Sequence, residues 1–272
     1  MTEKTDKLYY GYRVVKYIGI GLVFGGIIGM ALGITFTIMS YSIWVLVLCW
    51  IFGTVLLAFG VFWQLSMGFI ADSKKVESLT QSFSDRLESI WDGNGKVLDI
   101  GTGSGRIAID IAKRFPEAKV IGVDIWTKMW SVFGQTRMDA EKNAKIANVY
   151  EHCIFQYGSA LDLPFQDGEF QLVVSNFTFH EINTPDRMNL FKEIARILAP
   201  GGTFLVLDFF AGTFLKAYKV TTVEEFLGKL QRLGFKDISH EPLKQLGIDL
   251  GVFYRYFWEI DFLTGIRSLA KS

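Results

Sequence analysis

The apolar positions of this chain change their rhythm twice. Residues 17–71 are apolar on every side and contain no Asp, Glu, Lys, Arg or His. That block, broken by Ser40-Tyr41-Ser42, predicts two helices, Tyr17–Met39 and Ile43–Leu65. At about 1.5 Å rise per residue, each is long enough to cross a hydrocarbon core of about 30 Å. A secretory signal would have a shorter apolar core, and the second span follows at once, so that reading is set aside. Residues 73–92 then carry Val76, Leu79, Phe83, Leu87 and Ile90 at three-to-four spacing, the pattern of an amphipathic helix. From Lys96 onward short apolar runs alternate with helical ones. Strands are expected at 96–101, 118–125, 153–158, 170–176 and 203–210, and helices at 104–115, 136–147, 186–198 and 222–233. Two further strand-like pieces, about 236–241 and 251–259, close the chain. The alternation implies an α/β domain with parallel strands, helices on both faces and a ligand at the carboxyl ends of the strands.

Charge then orients the molecule. Lys4, Lys7, Arg13 and Lys16 precede the apolar block, with Tyr9, Tyr10 and Tyr12 among them, and Lys74 and Lys75 follow it. The short Ser40–Ser42 turn makes a hairpin, so the positive-inside rule places both ends and all later residues in the cytoplasm. The expected division is a membrane anchor over 1–72 and a second domain over 73–272, with no Gly/Ser/Pro-rich tether between them. Gly21, Gly25, Gly29 and Gly33 recur every four residues. They form a smooth ridge suited to packing against the second span, which carries Gly53 and Gly60, or to homodimerisation. Both readings stay open. The protein is 50% hydrophobic with a formal net charge of zero and a mean hydropathy of +0.27, an excess that sits in the anchor. Neutral charge gives no argument for nucleic acid as a partner. Cys49 and Cys153 have neither disulfide nor metal-ligand spacing, which suits a reducing compartment.

The candidate chemistry begins at Val97-Leu-Asp-Ile-Gly-Thr-Gly-Ser-Gly-Arg106, a short buried strand, three glycines and the start of a helix. Side-chain-free positions let a ligand approach the backbone, and a helix N-terminus presents free N–H groups. Asp124 ends the next strand, where a carboxylate can accept bonds from both ribose hydroxyls of an adenosine ligand. Dinucleotide-binding domains prefer G-x-G-x-x-G; this loop reads G-x-G-x-G with an acid two residues earlier. An NAD(P)-binding oxidoreductase is therefore the second reading of the same fold.

Three later stretches discriminate. Gly158-Ser-Ala-Leu-Asp-Leu-Pro-Phe165, Asp167-Gly-Glu-Phe-Gln-Leu-Val-Val-Ser-Asn176 and Ala199-Pro-Gly-Gly-Thr-Phe-Leu-Val-Leu-Asp208 follow in order. With the glycine loop they resemble the class I S-adenosylmethionine (SAM)-dependent methyltransferases, most nearly those of ubiquinone and menaquinone biosynthesis. The resemblance covers about 75–240, not the hairpin or the last thirty residues. It implies a seven-stranded Rossmann-like domain that uses SAM and releases S-adenosylhomocysteine. It also implies a cofactor set of Asp99, Gly101, Thr102, Gly103, Gly105, Asp124, Ile125, Ser159, Ala160 and Asn176. In that set Asp99 supports the loop and the amino-acid part of SAM, Asp124 holds the ribose and Ile125 packs on adenine. The family usually carries Asp directly after the glycine at 158; this chain carries Ser159, with Asp162 three residues on, and the Ala160 N–H can serve the adenine. Trp126–Gly134 is longer and more aromatic than the usual connection, a surface loop or a lid.

Methyl transfer is an in-line displacement, and a base is needed only when the acceptor carries a proton. His180 and Glu181, just after the fourth strand, are the catalytic candidates: His180 as base or orienter with Glu181 holding its ring, or His180 as packing. No metal site is expected, and the absence of Asn-Pro-Pro-Tyr after that strand argues against methylation of nucleic-acid bases. The expected protein is a two-pass membrane methyltransferase whose small, apolar or lipid-like acceptor is met at the cytoplasmic face. A membrane-tethered SAM-binding scaffold without catalysis is the remaining alternative.

Overall fold

The computed structural model describes residues 13–39, 42–248, 250, 254 and 259–269. The basic lead-in of residues 1–12 and the turn residues Ser40 and Tyr41 lie outside them. The chain divides into two units, a helical hairpin and an α/β domain.

In the hairpin, α1 (Arg13–Ile38) packs along α2 (Ile43–Ala71). Both contain a stretch long and apolar enough to cross a membrane, Tyr17–Ile38 and Ile43–Leu65. Their outward side chains, among them Phe24, Trp44 and Phe52, stay exposed. The hydroxyls of Thr35 and Thr37 donate to the carbonyls of Ala31 and Gly33 one turn back, so neither needs water. The glycine ridge is not one face. A four-residue step turns about 40° past a full revolution, so Gly21 lies about 120° round from Gly33. Gly21 has open space beside it, Gly25 makes ordinary contact with Leu56, and Gly29 and Gly33 face Gly53 and Trp50 of α2. The seam runs along Gly19, Gly26, Gly29 and Gly33 of α1 and Gly53 and Gly60 of α2, where a Cβ on any one would come within 3.1 Å of the facing helix. A Cβ on Gly26 would lie 2.6 Å from the Leu57 backbone nitrogen, and one on Gly53 2.8 Å from that of Met30. These are the close backbone approaches that small residues permit in membrane helices.

The α/β domain opens with α3 (Ser73–Ile90), which buries Leu79, Phe83 and Leu87. The Phe83 ring lies against Phe262, Ser84 donates to Asp110, and Arg86 pairs with Glu241. The sheet then builds from β1 (Lys96–Ile100), β2 (Lys119–Asp124), β3 (Cys153–Tyr157), β4 (Phe170–Asn176), β5 (Leu198–Asp208), β6 (Phe235–Pro242) and β7 (Asp261–Arg267). The order is β3-β2-β1-β4-β5-β7-β6, with β7 antiparallel to both neighbours. The intervening helices are α4 (Arg106–Arg114), α5 (Lys128–Ser131), α6 (Arg137–Ile146), α7 (Met188–Ile197) and α8 (Val223–Arg232). Thr136 and Thr222 cap α6 and α8 by accepting from the N–H of Asp139 and Glu225. Phe170, Phe191, Phe204, Phe210 and Phe226 form an aromatic core with Leu98, Val173 and Ile194. The strand order reverses between β1 and β4, the switch point at which this architecture binds ligands.

The last strand is displaced from its expected place. Of the piece expected at 251–259, residues 251–253 and 255–258 lie outside the described residues. Tyr254 is helical, and Glu259 and Ile260 precede β7. β7 fills the gap between β5 and β6, so its residues from Asp261 to Gly265 are buried. Gly265 is needed there because a Cβ would lie 2.7 Å from the Phe204 ring. β5 also begins earlier than expected, at Leu198, pairing with Phe170 before an irregularity at Pro200-Gly201-Gly202.

Candidate cofactor and acceptor site

Three glycines in left-handed conformation turn the chain from β1 into α4: Gly101 at φ 73°, Gly103 at 53° and Gly105 at 83°. Gly101 is also sterically required, and Gly103 leaves the room that the Gln135 side chain occupies. A Cβ on Gly101 would lie 2.1 Å from Thr178 Oγ1, and one on Gly103 2.1 Å from Gln135 Oε1. Asp99 is fully enclosed beneath the loop. Its Oδ2 accepts from Thr102 Oγ1 at 2.7 Å and from the Ala108 N–H at 3.2 Å, so Asp99 and Thr102 act on loop shape. Burial raises the Asp99 carboxyl to about 7, against the lowering effect of those two bonds.

Asp124, at the end of β2, fastens the other side of the loop. Its Oδ2 accepts from the Gly103 N–H at 2.9 Å and its Oδ1 from the Trp126 N–H at 2.7 Å. Each oxygen keeps a lone pair for a hydroxyl. Trp126 is held at φ 39°, a rare conformation for a bulky residue, and its indole Nε1 donates to the Gly103 carbonyl at 2.9 Å. Ile125 is half-exposed beside it, at 47%. The turn after β3 reaches the same place: the Gly158 N–H donates to the Asp124 carbonyl at 3.2 Å. Ser159 Oγ accepts from the Leu161 N–H at 3.3 Å, and Ala160 is packed against the core. All the sequence-derived cofactor residues except Asn176 thus gather at the ends of β1, β2 and β3.

Asn176 ends β4, and among the described residues its buried Oδ1 finds no hydrogen-bond partner. It is an acceptor available to an ammonium or amine. Two residues on, Thr178 Oγ1 donates to the Gly101 carbonyl at 3.4 Å, joining this side to the glycine loop. Asp208, at the end of β5 and completely buried, organises the turn that leaves β4. Its Oδ2 accepts from the N–H groups of Thr178 at 2.9 Å and Phe179 at 2.7 Å. Its Oδ1 accepts from the Phe209 N–H at 2.8 Å and lies 2.9 Å from His180 Nδ1. Glu181 Oε1 stands 3.3 Å from His180 Nε2. Burial pulls the imidazole pKa down, but the bonds and charges of Asp208 and Glu181 outweigh it and lift His180 to about 9. The ring is therefore charged at neutral pH, not neutral as its ordinary value of about 6.5 suggests. Phe177 and Phe209 stand edge-on to it, centroids 6.4 and 4.8 Å away, and Phe214 stacks on Phe209 at 4.5 Å.

The sequence assigned the orientation of His180 to Glu181; the structure gives the closer contact to Asp208. Asp208 closes an apolar strand as Asp124 does, and that shared position was the available signal. Gln135, Trp126 and Thr178 also act on the glycine loop, through contacts with no sequence periodicity.

Residues 97–202 match a family model described as a methyltransferase domain. The 27-O-demethylrifamycin SV methyltransferase of Amycolatopsis mediterranei is 28% identical over 191 residues, 64% of this chain and 66% of that protein. The demethylmenaquinone methyltransferase of Thermus thermophilus is 35% identical over 140 residues, 50% of this chain and 59% of that one. The chain thus spans less than two thirds of either relative. A geranyl diphosphate C-methyltransferase from Streptomyces coelicolor, solved with S-adenosyl-L-homocysteine, superposes with a TM-score of 0.54 at 16% identity, covering 73% of this chain and 82% of that one. These matches displace the oxidoreductase reading. The glycine loop, the Asp124 carboxylate and the available Asn176 oxygen fit SAM as cofactor. Over residues 97–202 the chain is thus similar to methyltransferase domains, and the fold around that segment is the one found in solved SAM-dependent methyltransferases.

Proposed function

We propose that the protein is a membrane-anchored methyltransferase that transfers the SAM methyl group to a small apolar or amphiphilic acceptor at the cytoplasmic membrane face. The observation that carries this reading is the phenyl wall of Phe177, Phe209 and Phe214 around a histidine held by two carboxylates. Such a surface favours an apolar body with one polar, reacting end. Relatives named for small-molecule acceptors support the small size. The two apolar helices support the anchor, and the lysines and arginines beside them support the cytoplasmic face. Self-association of the anchor would use the open Gly21 side, since Gly29 and Gly33 face α2.

When bound, the cofactor supplies an electrophilic methyl carbon on a sulfonium, whose C–S electron pair returns to sulfur as the new bond forms. The chain's residues align and deprotonate. Asp124 and the glycine loop hold the adenosine and amino-acid ends, and Asn176, at the end of β4, offers its Oδ1, unpartnered among the described residues. Asp208 fixes the Nδ1–H of His180, so Nε2 is the nitrogen that takes the acceptor's proton once Glu181 yields. A base of pKa about 9 is strong and only sparsely available at neutral pH.

Mass-labelled SAM, mixed with the full chain and fractions of a cell extract, tests this. Label in an apolar product with matching S-adenosylhomocysteine is the expected result. Label only in water-soluble products would refute the apolar acceptor. Binding without turnover would leave the scaffold reading.

A further inference from the structure

The polar groups at the cofactor end of the glycine loop are taken by the chain itself. The Gly103 N–H goes to Asp124, the Gly103 carbonyl receives the Trp126 indole, and the Ser104 carbonyl accepts from Asn143 Nδ2 at 3.0 Å. The Ser104 N–H donates to Gln135 Oε1 at 2.9 Å, a contact possible only because Gly103 has no side chain. This N–H lies one residue before the Gly105 N-cap of α4, near a helix N-terminus where an anion is favoured. Residues 125–136 therefore cross the loop with one polar anchor at each end, Trp126 and Gln135. Between them α5 buries no side chain, and Met129 and Val132 are exposed at 62% and 70%. Little holds the middle of the segment down, and Trp126 at φ 39° sits in a conformation that gains by release.

We propose that Gln135 gates the cofactor: its side-chain carbonyl holds the Ser104 N–H until the carboxylate of the cofactor's methionine part replaces it, and residues 125–136 lift as one latch. The proposal rests on the SAM assignment. The exchange runs in this direction because a carboxylate is the stronger acceptor; a charge-assisted bond is worth about twice a neutral one. Asp124 keeps the Gly103 N–H and Asn143 keeps the Ser104 carbonyl, so the loop holds its shape while the latch moves.

The test is stopped-flow tryptophan fluorescence of the full chain in detergent micelles, mixed with S-adenosylhomocysteine, with Trp126 and Trp130 inside the moving segment. Gln135→Ala should bind about five-fold faster and correspondingly tighter, the effect of one net hydrogen bond no longer broken on binding. Gln135→Glu, nearly isosteric, should bind slower, because its carboxylate holds the N–H more firmly and repels the incoming one. Rates unchanged in both variants overturn the gate, as does an alanine variant that binds more weakly at an unchanged association rate, which marks a fixed strut. If the alanine variant does not fold, the glutamate variant decides alone: slower supports the gate, unchanged or faster overturns it. Wild-type protein that binds no S-adenosylhomocysteine overturns the cofactor assignment and the gate together.

Discussion

Asp124 holds the shape of the loop, and the proposed binding of SAM asks the same carboxylate to hold the ribose. It ties Gly103 to Trp126 through its two oxygens and leaves each a lone pair for a ribose hydroxyl. Charge-assisted bonds of this kind are worth roughly 1.5–3 kcal/mol. Asp124→Ala should therefore weaken SAM binding by about one to two orders of magnitude in calorimetry. Near wild-type affinity in a folded variant would remove Asp124 from the site. His180 gives a pH signature instead. Its folded-state pKa of about 9 lies above the unperturbed value of about 6.5. Its charge thus stabilises the fold fully below pH 6.5, and that contribution, at most about 3 kcal/mol, is lost as pH rises through 9. Melting curves of the wild type and His180→Gln should converge over that window. As base, His180 should give a turnover limb centred near pH 9. Glu181→Gln should move the limb down, because it removes one of the two carboxylates that favour the imidazolium. His180→Gln should erase the limb and lower turnover by about 10²-fold. A limb that ignores both substitutions would return His180 to packing. Residue identities at strand ends were legible in the sequence, since an acid closing an apolar run stands out. The Asp208–His180 contact was not, because it joins residues 28 apart through the meeting of two parallel strands.

Elements were legible wherever apolar rhythm alone decides them. β1, β2 and β4 end at or within two residues of the expected positions because buried parallel strands read as apolar runs. β7 was misplaced because the more aromatic stretch just before it matched a strand equally well. What selects Asp261–Arg267 is the antiparallel gap between β5 and β6, a tertiary fact. The hairpin seam was legible in part, for a geometric reason: Gly29 and Gly33 pack on α2 as expected, but four-residue spacing drifts round the helix and turns Gly21 away. This gives a paired prediction for thermal unfolding in micelles followed by circular dichroism. Gly21→Ala, with open space beside it, should be neutral or stabilising by up to about 1 kcal/mol, the helix preference of alanine over glycine. Gly26→Ala should destabilise, because its Cβ meets the α2 backbone at Leu57. Equal effects at the two positions would contradict the seam.

At the scale of the whole molecule, all the residues proposed to hold the cofactor lie in the α/β domain and none in the apolar hairpin. Every residue assigned to SAM follows Lys96, whereas the uncharged block ends at Ala71. A chain beginning at Ser73 keeps α3, whose Phe83 and Leu87 are buried in the domain. It should be more soluble and bind SAM as the full chain does, while losing activity on an acceptor confined to the lipid phase. Loss of SAM binding with a native circular dichroism spectrum would show that the division is wrong. The acceptor itself was not legible at any scale. The rings proposed to meet it, Phe177, Phe209 and Phe214, share no motif and come together at the ends of β4 and β5.

The central claim, methyl transfer to a membrane-phase acceptor, is tested most directly by S-adenosylhomocysteine release from the full chain in bilayer nanodiscs. The membrane lipid extract is supplied or withheld, with Asp124→Ala as control. Release that requires the extract, matches labelled methyl recovered in its apolar fraction and falls with Asp124→Ala is the result expected. Tight SAM binding with no release above the extract-free blank would contradict it.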